Sequence, residues 1–199
     1  DEPLSNLDVR LRSDLRKLLR KIHKSGKTII HVTHDYTEAA TLANKVAVIQ
    51  NGRLLQHGTP EEVFRHPRSA FVAQFSGIKN LFPCRSAAVD IDNGLQTAII
   101  GDDIAIQYVD DDSPDGGYLM IPEQDIFISL QPVETSAINQ LKGIIKETYL
   151  AGSGIELVVD AGAEFVVSVS RQSQSALQLE AGKEIWITFK ASAVRFVDH

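Results

Sequence analysis

Apolar positions in the first third of the chain recur first at helical and then at strand spacing. In "VRLRSDLRKLLRKIHKSG", Leu11, Leu15, Leu18, Leu19 and Ile22 share one face, Arg and Lys occupy the other, and Gly26 stands where a helix C′ residue belongs. This pattern predicts an amphipathic surface helix. "KTIIHVTH" follows as a short, mostly β-branched run, the pattern of a strand buried on both faces of a parallel sheet. "DYTEAATLAN" reads as a second helix. In "KVAVIQNGRLLQHG" two apolar runs are split by Asn51-Gly52, which predicts a β-hairpin. Thr59, Pro60 and Glu62 then form the signature of a helix start with a capping box. "SAFVAQFSG" predicts one or two more helical turns, and Gly77 reads as a hinge.

From about Ile78 the pattern changes to short alternating runs separated by turn residues. They are "GLQTAII", "DIAIQYV", "GGYLMIP", "QDIFISL", "LKGIIKETYL", "GIELVVDAG", "AEFVVSVS" and "EIWITFKASAVRFV". Such spacing predicts a small barrel or sandwich. "VDDDSPDGG" at 109–117 is acidic and rich in turn formers, so it reads as a loop. Its aspartates lack the glycine and glutamate spacing of a calcium loop.

Charge divides the chain at the same place. Residues 1–76 carry 12 Lys and Arg against 8 Asp and Glu, whereas residues 77–199 carry 8 against 18. The shift predicts two different units within the 199 residues. The acidic second unit lacks the basic footprint that nucleic-acid binding requires. The single cysteine, Cys84, excludes an internal disulfide framework. No apolar run approaches the length of a membrane-spanning helix.

The residues suited to chemistry are the adjacent acids Asp1 and Glu2, then Ser5 and Asp8, and His34 in "HVTHD". By type and spacing alone, the acids also suit a helix N-terminus and His34 the end of a strand. The order of motifs says more. "DEPLSNLD", a helix, a strand, "THD" and then "VAVIQNGRLLQHGTPEEVFRHP" resemble the later part of an ABC transporter ATPase domain, over residues 1 to about 76. The resemblance implies that Asp1 holds the Mg²⁺ of Mg-ATP and that Glu2 orients the attacking water. It makes Ser5 to Asp8 the D-loop, which touches a partner's site, and His34 the switch residue at the γ-phosphate. Neither a Gly-x-x-x-x-Gly-Lys-Ser/Thr loop nor a Leu-Ser-Gly-Gly-Gln-type signature occurs in the chain. The chain by itself is therefore expected to be inactive, neither binding ATP tightly nor hydrolysing it. The lack of sheet neighbours for "TIIHVTH" further implies that residues 1–76 are ordered through self-association or by exchanging elements between chains.

In the second unit, "SAINQLKG", "SQSALQLEAGK" and "FKASAV" resemble the OB-type TOBE domain of ABC importers in its molybdate-binding version. "LMIPEQDIFIS" is similar to a further segment of that family, with Ile121 in place of its arginine. The resemblance implies an oxyanion site built from Ser136, Ser173, Lys190, Ala191 and Ser192. Ile138 stands where relatives carry an arginine, which removes a guanidinium. The same positions serve equally as turn and barrel residues, and a purely structural dimerisation domain is the alternative to an oxyanion sensor.

Together these resemblances imply a partial RecA-like α/β ATPase subdomain (1–76) followed by an all-β OB-type TOBE barrel (77–199). They imply the ATP-hydrolysing subunit of an ABC importer, peripheral on the cytoplasmic face of the membrane. Its cofactors are ATP and Mg²⁺, with molybdate or tungstate as a possible ligand. Its partners are a second copy of itself, membrane permease subunits and, indirectly, a solute-binding protein, with no nucleic acid. Molybdate or tungstate is the first substrate implied; sulfate, iron, polyamine and sugar import share the architecture.

Overall fold

The computed structural model of the chain describes residues 2–5, 7–90, 94–109, 116–152 and 154–198, with residues 86–90 described as backbone. The chain divides into two compact units, Asp1–Gly77 and Ile78–His199.

In the first unit, helix α1 (Val9–Lys24) starts at Asp8, whose carboxylate accepts from the N–H groups of Arg10 and Leu11. It stops at Ser25 and Gly26, the latter at φ +89. Helix α2 (Tyr36–Leu42) is capped by Asp35. Strands β1 (Val46–Gln50) and β2 (Arg53–Gly58) pair antiparallel around Asn51 and Gly52, both at positive φ, as a type I′ turn requires. Helix α3 (Pro60–Arg65) carries the full Thr59–Glu62 capping box, and helix α4 (Ala70–Phe75) completes the unit. Val46, Val48, Val63, Phe64 and Val72 form its core, with Tyr36 edge-on to Phe64.

One expectation is not met. Residues 27–34 carry the composition of an interior strand, yet they form no strand. Ile30 is 91% and Val32 55% exposed. A strand exists only through its ladder, and among the described residues this segment takes one backbone bond, from the Glu2 N–H to the Val32 carbonyl at 2.8 Å.

Among its described residues the second unit holds ten strands: β3 (Asn80–Asp90), β4 (Leu95–Ile100), β5 (Ile104–Tyr108), β6 (Gly117–Ile121), β7 (Phe127–Ser129), β8 (Asn139–Ala151), β9 (Gly154–Asp160), β10 (Glu164–Val169), β11 (Glu184–Phe189) and β12 (Arg195–Val197). Helix α5 (Arg171–Leu177), capped by Ser170, lies between β10 and β11. All strand pairs are antiparallel, in two five-stranded sheets of order β10-β9-β8-β11-β7 and β12-β6-β3-β4-β5. One core joins the two sheets, with Ile106, Leu119 and Ile121 from one and Leu157, Phe165 and Phe189 from the other.

The two sheets repeat one pattern. β3 pairs with β4 and β6 as β8 pairs with β9 and β11, and β4 pairs with β5 as β9 pairs with β10. Bulges interrupt β3 between Ser86 and Ala88 and β8 between Ile145 and Glu147, each at the same distance from a starting asparagine. The last strand of each half is exchanged, β7 pairing with β11 and β12 with β6. Asn80 and Asn139 open β3 and β8, and each side chain bonds across to the other half. Asn80 makes two 2.7 Å bonds with the backbone of Val166 on β10, and Asn139 makes two 2.8 Å bonds with that of Gln107 on β5.

Candidate functional site

The turn before α1 and the segment before α2 bring Glu2 and His34 together. His34 Nδ1 lies 2.7 Å from Glu2 Oε1. Their side chains remain 71% and 45% exposed, so both stay open to a ligand. The hydrogen bond to Glu2 and its charge raise the His34 pKa above the ordinary imidazole value. With Nδ1–H donating to the carboxylate, Nε2 is the ring nitrogen that this bond leaves unused.

Glu2 is held from both sides. Its N–H donates to Val32, and its carbonyl accepts from the Ser5 N–H at 3.3 Å and the Ser5 hydroxyl at 3.0 Å. Its backbone sits at φ +41, a conformation that non-glycine residues adopt only where the surroundings impose it. Asp8 is occupied as the cap of α1. Asp1 and Asn6 lie outside the described residues, as do residues 110–115 of the aspartate-rich loop.

Behind this pair lies a network that the sequence reading missed. Glu38, 2% exposed, accepts from Thr33 Oγ1 at 2.9 Å, contacts His31 Nε2 at 3.0 Å and meets Arg16 at 3.3 Å. Burial pushes its carboxyl up, but the bonds from His31, Thr33 and Arg16 overturn this and hold it below the usual carboxylate value. Arg16 also pairs with Asp35 at 3.3 Å, and Arg12 reaches the carbonyls of Ser5 and Leu7 at 3.1 and 3.2 Å. An Asp35-x-x-Glu38 spacing signals a helix start, and nothing in that signal shows the Glu38 side chain turning away from the cap.

In the second unit the five candidate oxyanion residues form two groups. Ser136 precedes β8 and Lys190–Ser192 follow β11, and pairing of Asn139 with Phe189 places both at one end of the sheet. Ser136, Lys190 and Ser192 are exposed, whereas Ala191 is buried. Ile138, beside them, is 44% exposed. Ser173 stands apart in the first turn of α5, where its N–H and hydroxyl are engaged with Ser170.

Comparisons with known proteins place the chain by family. Residues 135–196 match the family model described as TOBE domain. The molybdate/tungstate import ATP-binding protein WtpC of Pyrococcus horikoshii is 32% identical over 98% of the chain and 54% of its own length. The spermidine/putrescine import ATP-binding protein PotA of Aster yellows witches'-broom phytoplasma is 29% identical over the whole chain and 44% of its own length. A 56% identity to the sn-glycerol-3-phosphate import ATP-binding protein UgpC 1 of Rhizobium johnstonii spans 39% of the chain and 21% of that protein. The chain thus spans about half the length of the curated relatives it matches end to end. Among solved structures, the cytoplasmic molybdate-binding protein ModG with molybdate bound superposes with a TM-score of 0.54 at 16% identity, over 61% of this chain and 97% of ModG. That likeness shows the fold alone. Over the half of their length that it spans, the chain is a homologue of the ATP-binding subunits of ABC importers, with a TOBE domain at residues 135–196.

Proposed function

We propose that Glu2 and His34 are the water-activating and phosphate-contacting residues of an ATPase subunit that drives solute import. The observation that carries this reading is the 2.7 Å contact between them, with both side chains open to solvent. The Glu2 carboxylate suits orientation of a water, accepting its proton as the water attacks. His34, with its raised pKa, suits donation to the phosphoryl oxygens that gain charge in the transition state. Asp1 is assigned to magnesium and Ser5 to Asp8 to the D-loop by resemblance. Mg-ATP supplies the phosphoryl group and its charge neutralisation, and the residues that cradle phosphates are not among the 199. The chain alone is accordingly expected neither to bind ATP tightly nor to hydrolyse it. Micromolar Mg-ATP binding by this chain in a titration calorimeter would contradict that expectation.

The subunit is assigned to the cytoplasmic face of the membrane, as a homodimer docked on permease subunits that receive solute from a binding protein. For the β-unit, one role is sensing of a molybdate- or tungstate-type oxyanion at Ser136, Lys190, Ala191 and Ser192, with Ser173, which stands apart from them in α5, completing the set that the resemblance implies. The exposed hydroxyls and the Lys190 ammonium at one sheet end support it. The acidic charge of the unit and the apolar Ile138 favour a second reading, a dimerisation domain on a sulfate, iron, polyamine or sugar importer. Titration with molybdate, tungstate and sulfate separates the two: saturable heat supports the sensor, and silence with all three supports the scaffold.

A further inference from the structure

We infer that Glu38 is a positioning residue for the Glu2–His34 pair, its buried carboxylate fixing the Thr33–Asp35 backbone that aims the His34 ring. The inference rests on reading that pair as hydrolytic. His34 itself is 71% exposed in its side chain, within a segment that forms no strand, so its aim is set by its neighbours. Thr33 Oγ1 donates to Glu38 at 2.9 Å and accepts the Asp35 N–H at 3.0 Å. Asp35 Oδ1 in turn accepts the Glu38 N–H at 3.0 Å. The two residues flanking His34 are thereby tied to each other and to Glu38 in a closed ring of bonds.

The same network reaches the other partner. Arg16 lies 3.3 Å from both Asp35 and Glu38, and Arg12 contacts Asp35 at 4.0 Å. Arg12 also bonds the Ser5 and Leu7 carbonyls of the turn whose Ser5 holds Glu2. Capping α2 requires only the Glu38 backbone N–H. The three side-chain partners of its carboxylate therefore point to a second task. A buried carboxylate with three partners holds its neighbours rigidly because every one of them loses a bond if it moves.

The test uses the full chain and nuclear Overhauser contacts between the His34 ring and the Glu2 side chain, with the Val48–Gln56 cross-strand signals of the β1–β2 hairpin as the folding control. Wild type is expected to show the His34–Glu2 contact. Glu38→Ala and Thr33→Val are expected to lose it while the hairpin signals persist. If Glu38→Ala unfolds the unit, Thr33→Val decides, because it removes only the relaying hydroxyl. Retention of the contact in Thr33→Val, or its absence in wild type, overturns the inference. In the complete ATP-binding subunit, Glu38→Ala is expected to lower kcat about tenfold to a hundredfold with KM for ATP unchanged. Equal effects on kcat and KM overturn the inference. Absence of turnover in the complete wild type sinks the hydrolytic reading instead and leaves the contact result standing.

Discussion

Glu2 and His34 stand 32 residues apart in sequence and meet through one short contact, which makes their pairing sensitive to single substitutions. The carboxylate raises the His34 pKa from 6.5. A group whose folded-state pKa is raised contributes stability that is complete below its unfolded value and is lost as pH rises through the folded value. The contact is therefore expected to weaken from about pH 6.5 upward. In Glu2→Gln the His34 titration, followed by its ring proton shifts, is expected to fall back toward the ordinary imidazole value. An unchanged titration in that variant would show that Glu2 is not the cause. Both residues were legible from their motifs. Glu38 was not, since one glutamate three residues after an aspartate gives no sign of burial. Its role emerges only when α1 delivers Arg16 to it.

Elements with local causes were read correctly, whereas some with distant causes were not. The Asn51-Gly52 hairpin and the Thr59–Glu62 capping box need only neighbouring residues, and both are present. Thr59→Ala is expected to destabilise the first unit by about 1 kcal/mol, measured by urea unfolding. The strand expected at 27–34 depends on partners that sequence does not name, and it forms no ladder, with Ile30 bare. β3 was not recognised, because Pro83 and Arg85 and its bulge break the alternation of its pattern. α5 was missed because its "RQSQSAL" is almost wholly polar. Helix α1 has no buried residue, and Leu11 and Leu18 are 45% and 48% exposed. Self-association, as expected from the sequence, would cover this apolar surface. Light scattering is expected to show a species larger than one chain; a strict monomer with well-dispersed signals for residues 9–33 would count against it.

At the scale of the molecule, the two halves of the β-unit are one pattern used twice, with their last strands exchanged. That repeat is hidden in sequence because it is carried by register and bulge position, and the two asparagines are a side-chain device that the halves share. If the halves are equivalent, Asn80→Ala and Asn139→Ala each strand one backbone N–H and one carbonyl of the opposite half. Each is expected to cost about 1–3 kcal/mol of unfolding free energy, and the two costs are expected to be similar. A large loss from one and none from the other would contradict the equivalence. The first unit carries the central claim, that Glu2 and His34 are the hydrolytic half of an import ATPase. Its most direct test is single-turnover ATP hydrolysis by the complete subunit that contains these residues. Glu2→Gln is predicted to bind Mg-ATP normally and to hydrolyse it at least about a hundredfold more slowly, whereas hydrolysis at the wild-type rate would contradict the account.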